Sequence, residues 1–114
     1  MIYTISITRN TDFRRMYYRA KFKNGFFVVV YLCKNRLDET RLGITVSKKV
    51  GNAVVRNRVR RMIRAAYSLL EREENFRGLE VVVVAKQACA PVKMGKIYRE
   101  MKKNIAFLRK KYKV

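Results

Sequence analysis

The segment from residue 48 to residue 64 concentrates side chains that bind anions. It contains seven lysines and arginines, and no acidic residue occurs between Glu39 and Glu71. Charges of one sign at this density repel one another unless a polyanion neutralises them. Arginine dominates from residue 56 to residue 64, and its planar guanidinium contacts phosphate with paired hydrogen bonds and stacks on bases. The segment therefore predicts a surface for a nucleic acid, and we interpret it as RNA-binding. A merely solvated face is the alternative, but such a face normally intersperses glutamates.

A single long helix is predicted to carry the arginines. Asn52 is a favourable N-cap for a helix that runs from Ala53 to about Arg72. The apolar sector of this helix, which we expect to pack on a sheet, contains Val55, Val59, Met62, Ile63, Ala66 and Leu70. The opposite sector carries Arg56, Asn57, Arg60, Arg61, Arg64 and Tyr67, with Arg58 on the flank. The free N–H groups at the helix start offer a further place for a phosphate.

The remaining elements are shorter. Asn10 is a suitable N-cap for a first helix, in which Phe13, Met16, Tyr17 and Ala20 recur at helical spacing. Three β-rich runs lie at residues 26–32, 41–47 and 79–85, and a last helix is predicted at about 94–111. A polar loop at 34–40 separates the first two runs, so we expect them to pair as an antiparallel hairpin.

These elements predict an α+β fold in a single domain, residues 1–114. Their order is α-β-β-α-β-α, and a weak alternation at residues 1–7 leaves room for an extra edge strand. We expect an α/β sandwich, with a small, mostly antiparallel sheet and the helices packed on it.

Phe13 and Tyr17 stand four residues apart and allow two interpretations. Such a pair is commonly part of a core. Arg14 and Arg19 lie beside it, however, and single-stranded nucleic acid binds where bases stack on rings and cations follow the backbone. The residues alone leave both interpretations open.

The composition of the whole chain agrees with a polyanionic partner. There are 28 Lys+Arg against 8 Asp+Glu, which gives a net charge of +20. Because 49% of the residues are hydrophobic, the chain can bury a core. The longest apolar run, residues 26–33, is far shorter than the roughly 20 residues of a membrane span, so we expect no membrane association. Cys33 and Cys89 form no CxxC pair, which favours reduced thiols in a cytoplasmic protein, although a disulfide stays open.

The chain offers little for bond-breaking chemistry. It contains no histidine, and we find no nucleophile motif, metal-ligand cluster or phosphate-binding loop. We therefore expect any catalysis to come from a partner. Three rivals remain: a ribosomal RNA-binding protein or assembly factor, an autonomous nuclease, and a DNA-binding helix-turn-helix protein. DNA binding is disfavoured because no second short helix precedes Asn52 at the required distance.

Residues 48–64 resemble the signature of the bacterial ribonuclease P protein component, whose motif is named for an Arg-Asn-Arg core, here at residues 56–58. Residues 10–17, 41–47 and 81–86 resemble the first helix, the second strand and a late strand of that family. The resemblance implies a left-handed βαβ crossover around the arginine helix, as in the second domain of ribosomal protein S5, against the usual hand. It also implies binding to the catalytic RNA and to the 5′ leader of precursor tRNA. In such an assembly the RNA holds the active site and most of the Mg²⁺.

The resemblance also implies which residues contact RNA. The motif positions facing the catalytic RNA and nearby substrate are Lys48, Lys49, Asn52, Arg56, Asn57, Arg58, Arg60, Arg61 and Arg64. Phe13 and Tyr17 match an aromatic pair that lines a cleft for the leader. At the cleft position of the first strand, where the family often has Tyr, the alignment puts Val30, with Tyr31 adjacent. The implied role of the protein is to raise substrate affinity and to lower the Mg²⁺ requirement.

Overall fold

Alternating apolar stretches and turns generate five strands and three helices in the computed structural model, which describes residues 1–35 and 38–114. The strands are β1 (Thr4–Ser6), β2 (Lys21–Asn24), β3 (Val28–Lys34), β4 (Thr40–Thr45) and β5 (Leu79–Ala85). The helices are α1 (Asn10–Arg19), α2 (Ala53–Glu73) and α3 (Met94–Tyr112). Part of the loop predicted at 34–40 lies outside the described residues.

The strands form one sheet in the order β1, β4, β5, β3, β2. β4 is parallel to both β1 and β5, whereas β3 is antiparallel to β5 and to β2. The sheet is thus mixed rather than mostly antiparallel. The predicted hairpin between β3 and β4 is wrong, because β5 lies between them. β5 is buried along almost its whole length, and so apolar a strand is stabilised best at the centre of a sheet, where both faces are covered.

The α+β class and the predicted order of the main elements are confirmed. β1 is the extra edge strand, and α2 forms the crossover between the adjacent parallel strands β4 and β5. β2, at the other edge, was not predicted, because only Phe22 among its four residues is apolar. α1 begins at Asn10 itself, so the predicted cap is wrong: Arg9 precedes the helix without a side-chain hydrogen bond. Within the described residues, no helix has both the length and the hydropathy needed to cross a bilayer.

α2 begins as predicted, because the side chain of Asn52 accepts a hydrogen bond from the amide of Val55 at 3.0 Å. Its apolar sector packs with α3 against one face of the sheet, through the buried residues Val59, Ile63, Ala66 and Leu70. The predicted exposure of Tyr67 is wrong. Its ring is buried and stacks on Phe76 with the centroids 5.7 Å apart, and its hydroxyl lies 3.0 Å from that of Thr4. β1 covers this side of α2, which helical periodicity alone could not indicate.

β3 begins at Val28, two residues later than predicted. The amides of Phe26, Phe27 and Val28 donate to the carboxylate of Glu100 on α3, at 2.6 to 2.8 Å. This carboxylate ties α3 to the turn before the strand. Within β3, burial alternates, so that every second side chain lies under α2 and α3 and the others point to the opposite face.

α1 lies on that opposite face, with Met16 buried against Val82. Arg41 of β4 joins the two layers: its guanidinium lies 3.0 Å from Asp12 of α1 and 3.1 Å from Glu80 of β5. Partial burial by itself would lower the pKa of Arg41, but the hydrogen bonds to the two carboxylates raise it. The cluster fixes the position of α1 on the sheet, and with it the aromatic residues that α1 carries.

Candidate nucleic-acid interface

The arginine side of α2 faces solvent. The predicted side chains on α2 and on the 3₁₀ turn (Lys48–Val50) before it are all exposed or half-buried. Apart from Arg58, they are Lys48, Lys49, Arg56, Asn57, Arg60, Arg61 and Arg64. Asn52 is exposed, and its side-chain oxygen caps the helix. Across residues 1–35 and 38–114, no carboxylate forms an ion pair with any of these cations. Their charge is therefore available to phosphates.

Arg58 is turned away from this surface. Its guanidinium donates hydrogen bonds to the backbone carbonyls of Ala90 and Val92, in the connection between β5 and α3. One of its nitrogens also lies 3.6 Å from the sulfur of Met62. Because its guanidinium is used within the protein, the structure does not group Arg58 with the other predicted RNA contacts, and Arg58 joins α2 to this connection.

Arg60 lies in a groove that α2 shares with α1. The groove has a volume of about 420 Å³. Its lining comes from α1, from β4 and the residue after it, and from α2: Asn10, Phe13, Arg14, Tyr17, Ile44, Thr45, Val46 and Arg60. The structure thus brings together one arginine of the predicted RNA surface and both aromatic residues of the predicted cleft. Sequence spacing could not show this, because more than forty positions separate Tyr17 from Arg60.

A row of aromatic rings continues from the groove across the sheet. The ring centroids are 6.4 Å apart for Phe13 and Tyr17, 5.1 Å for Tyr17 and Tyr31, and 5.6 Å for Tyr31 and Phe22. We call these four residues the aromatic row. Tyr17 is 38% exposed and Phe22 is 58% exposed. Exposed rings beside cations are the feature on which the bases of single-stranded nucleic acid stack.

Val30 does not belong to the aromatic row. It is 0% exposed and packs in the core under α2 and α3, whereas its neighbour Tyr31 points to the face that α1 occupies. The predicted cleft position is therefore corrected from Val30 to Tyr31. One signal in the sequence could have found it, because Tyr31 is the only residue from 28 to 32 with a polar side-chain atom. Phe22 was missed because β2 was not predicted.

Phe13 is seated on Gly43 of β4. A Cβ atom at residue 43 would lie only 2.6 Å from Cε1 of Phe13, closer than such atoms can approach. The missing side chain therefore lets the ring lie against the backbone of the strand. Phe13 is half-buried, with part of its ring on the core and part in the groove, so its position is compatible with both interpretations of this residue.

The two cysteines are free thiols, so the disulfide left open by the sequence is not formed. Burial raises the pKa of Cys33, and the nearby carboxylate of Glu80 raises it further. Burial also raises the pKa of Cys89, to about 11. A thiol needs a lowered pKa to act as a nucleophile near neutral pH, so neither position offers reactive thiolate.

The described part of the chain shows no metal site built from protein side chains alone. Among the residues that the structure describes, no three His, Cys, Asp or Glu side chains converge closely enough to hold a metal ion. The carboxylates beside α1, Asp12 and Glu80, each contact both Arg15 and Arg41. Magnesium requires carboxylate oxygens that are free to coordinate it, and these are engaged by guanidinium groups.

Comparison with known proteins identifies one family along nearly the whole chain. The family model described as Ribonuclease P matches residues 3–110. The ribonuclease P protein component of Clostridium botulinum, strain Langeland, is 43% identical over 82 residues, which cover 72% of this chain and 74% of that protein. The corresponding protein of Lachnoclostridium phytofermentans is 39% identical over 109 residues, which cover 96% of this chain and 90% of the relative.

The fold agrees with a solved structure of the same kind of protein. The RNase P protein of Staphylococcus aureus superposes with a TM-score of 0.79 at 32% sequence identity, covering 90% of this chain and 93% of that one. Sequence and fold therefore lead to the same family over almost the full length. The chain belongs to the family of ribonuclease P protein components.

Proposed function

We propose that this protein is the RNA-binding subunit of a ribonuclease P and assists a catalytic RNA in removing the 5′ leader of precursor tRNA. One observation carries the proposal: Arg60 of α2 lines the same groove as Phe13 and Tyr17 of α1. A surface for phosphates and a surface for unstacked bases therefore adjoin. Family membership supports the same function and does not favour the rival hypothesis of a ribosomal RNA-binding protein.

The groove and the aromatic row suit an extended single strand. Arg14 and Arg60 stand at the groove, where they can follow phosphates, while the rings of Phe13 and Tyr17 offer apolar faces to bases. Stacking depends little on base identity, because every base has a π-face. This tolerance matches the 5′ leader, which we propose as the occupant of the groove.

The arginine face of α2 is proposed to contact the catalytic RNA. Its side chains form no ion pair within residues 1–35 and 38–114, and the chain carries a net charge of +20. Cations placed between ribozyme and substrate reduce the repulsion between the two phosphate backbones. We therefore expect the protein to raise the affinity for precursor tRNA and to lower the concentration of Mg²⁺ that the reaction needs.

The hydrolysis itself is proposed to take place on the RNA. The chain contains no histidine, both thiols are held in their protonated form, and the carboxylates beside α1 are engaged by arginines. No group at the groove is placed to act as a general base. Mg²⁺ supplies the activated water and the charge stabilisation when bound, and we propose that the RNA provides its ligands.

Reconstitution tests whether the RNA carries out the hydrolysis and the protein assists it. Precursor tRNA is incubated at low Mg²⁺ with the protein alone, with a ribonuclease P RNA alone, and with both. We expect 5′ leader removal only when both are present, and recovery of activity by the RNA alone when the Mg²⁺ concentration is raised. Cleavage by the protein alone would contradict the proposal and favour an autonomous nuclease.

Purification from cells tests the partner. We expect one large catalytic RNA, together with precursor tRNA, to co-purify with the protein. Recovery of ribosomal subunits in place of that RNA would instead support the ribosomal rival. We also propose a cytoplasmic location, in keeping with the two cysteines that remain free thiols.

A further inference from the structure

A second exposed group of aromatic and basic residues lies where α3 meets the edge strand β2. Phe107 is 42% exposed and Tyr112 is 37% exposed. The ammonium of Lys23 lies 4.7 Å from the ring centroid of Phe107, and that of Lys21 lies 5.1 Å from the centroid of Tyr112. Lys111 lies 5.6 Å and 5.4 Å from the two centroids. We call these five residues the β2–α3 patch.

The β2–α3 patch is strongly basic. Within the described residues, none of its lysines forms an ion pair. Glu100, the carboxylate of α3, is directed to the backbone amides before β3. Lys103 and Lys110, one turn before and after Phe107, are exposed and add further positive charge. Apolar rings among lysines match the chemistry of single-stranded RNA, which presents bases and phosphates together.

The β2–α3 patch and the aromatic row lie on opposite faces of the sheet and share the edge strand β2. Side chains alternate along β2, so that Phe22 pairs with Tyr31 on the face of the aromatic row. Lys21 and Lys23 pair with Leu32 and Val30, whose side chains lie on the α3 face. β2 is the last strand of the sheet, so only the width of one strand separates Phe22 from the patch.

We propose that the β2–α3 patch binds the part of the 5′ leader that extends beyond Phe22. The inference rests on the proposed function, since it requires a single strand in the groove and on the aromatic row. Nucleotides that leave Phe22 pass over the edge of β2, where the lysines contact phosphates and the rings of Phe107 and Tyr112 receive bases. The patch then makes substrate affinity depend on leader length.

The test compares mature tRNA with precursor tRNAs that have leaders of about 4 and about 12 nucleotides, two lengths within the range of single-strand site sizes. The protein is assembled with its catalytic RNA, and the dissociation constant of each substrate is measured. The variant combines Phe107→Ala with Tyr112→Ala. Tyr18→Ala serves as the matched control, because Tyr18 is 91% exposed on α1 and lies outside both surfaces. Thermal unfolding verifies that each variant is folded.

The expected result is a loss of affinity of about fivefold or more for the long leader, with no change for the short leader or mature tRNA. Lys21→Gln, which keeps both rings, should weaken the dependence of long-leader binding on salt. Equal losses for long and short leaders would overturn the inference and place the patch on the catalytic RNA, and unchanged binding of the long leader would overturn it as well. The proposed function is judged separately, by whether the short-leader precursor still binds more tightly than mature tRNA.

Discussion

The hydroxyl of Tyr17 lies 2.6 Å from the hydroxyl of Thr45, so one hydrogen bond joins α1 to β4 across the candidate leader groove. Both residues line that groove, and the ring of Tyr17 is the link between Phe13 and Tyr31 in the aromatic row. A ring held in one orientation loses less conformational entropy when a base stacks on it. The bond therefore favours the stacking that we propose for the ring of Tyr17.

Removing this hydrogen bond is expected to weaken leader binding. Tyr17→Phe and Thr45→Val should each lower the affinity for precursor tRNA by about 2- to 10-fold, the range of a typical intramolecular hydrogen bond, and leave mature tRNA unaffected. The double variant should be no weaker than either single variant, because both remove the same bond. Fluorescence titration of the assembled enzyme measures the affinity of each single variant and of the double variant. Additive losses of affinity would show that the two residues act independently.

Tyr31→Ala is expected to affect substrate binding and Val30→Ala to affect stability, although the two residues are neighbours. Tyr31→Ala removes a ring from the aromatic row and should reduce the affinity for precursor tRNA by about fivefold or more. Val30→Ala leaves a void in the core and should lower the free energy of unfolding by about 2 kcal/mol, with little effect on binding by the folded protein. Urea unfolding and substrate titration provide the two readouts. The reverse pattern would return Val30 to the groove.

Arg60→Ala and Arg58→Ala form a second matched pair on α2. Arg60→Ala should weaken binding to precursor tRNA and reduce the slope of log K against log salt by about 0.7 to 0.9, the share of one phosphate contact. Arg58→Ala should leave that slope unchanged and lower the free energy of unfolding by about 1 to 3 kcal/mol, because the carbonyls of Ala90 and Val92 lose their donor. A changed slope in Arg58→Ala would reinstate this residue as an RNA contact.

Glu71 is expected to make the attachment of β1 dependent on pH. Burial alone would raise the pKa of Glu71, but hydrogen bonds from the amide of Ile2, the hydroxyl of Thr4 and the amide of Tyr3 lower it. A group whose pKa is lowered in the folded state stabilises the protein above its unfolded pKa of about 4.5. That contribution is lost as the pH falls through the folded pKa.

Glu71→Gln should therefore cost about 1 to 3 kcal/mol of unfolding free energy at pH 7, and the difference from the unchanged protein should shrink in acid. Chemical unfolding of both proteins at a series of pH values measures this difference in unfolding free energy. Glu39→Gln, at an exposed position, is the control and should cost little at any pH. A difference that persists undiminished at low pH would show that the loss comes from the amide group of the introduced glutamine and not from the missing charge of Glu71.

Local sequence patterns predicted the helical part of this protein well. Asn52 caps α2, the apolar sector of α2 packs on the sheet, and α3 lies within one residue of its predicted bounds. These features depend on neighbours within one or two helical turns, so a short stretch of sequence is enough to predict them. The charge of the arginine face follows in the same way from the residues themselves.

The same local patterns could not predict which distant segments pair with one another. The placement of β5 between β3 and β4 depends on which strand gains most from burial on both faces, a comparison that involves the whole chain. The burial of Tyr67 depends on β1, and the engagement of Arg58 depends on the connection before α3. In each case the partner lies more than thirty residues away, and helical spacing describes only one side of the contact.

The sequence by itself determined a strongly basic chemistry suited to nucleic acid and the helix that displays it, because charge and helical periodicity are local properties. Only the tertiary structure decided which of two adjacent strand residues, Val30 or Tyr31, faces α1, since a shift of one residue moves a side chain to the other face of a sheet. Only the tertiary structure brought Arg60 to the same groove as Phe13 and Tyr17. The helix supplies the cations, but the packing of α1 on the sheet creates the site.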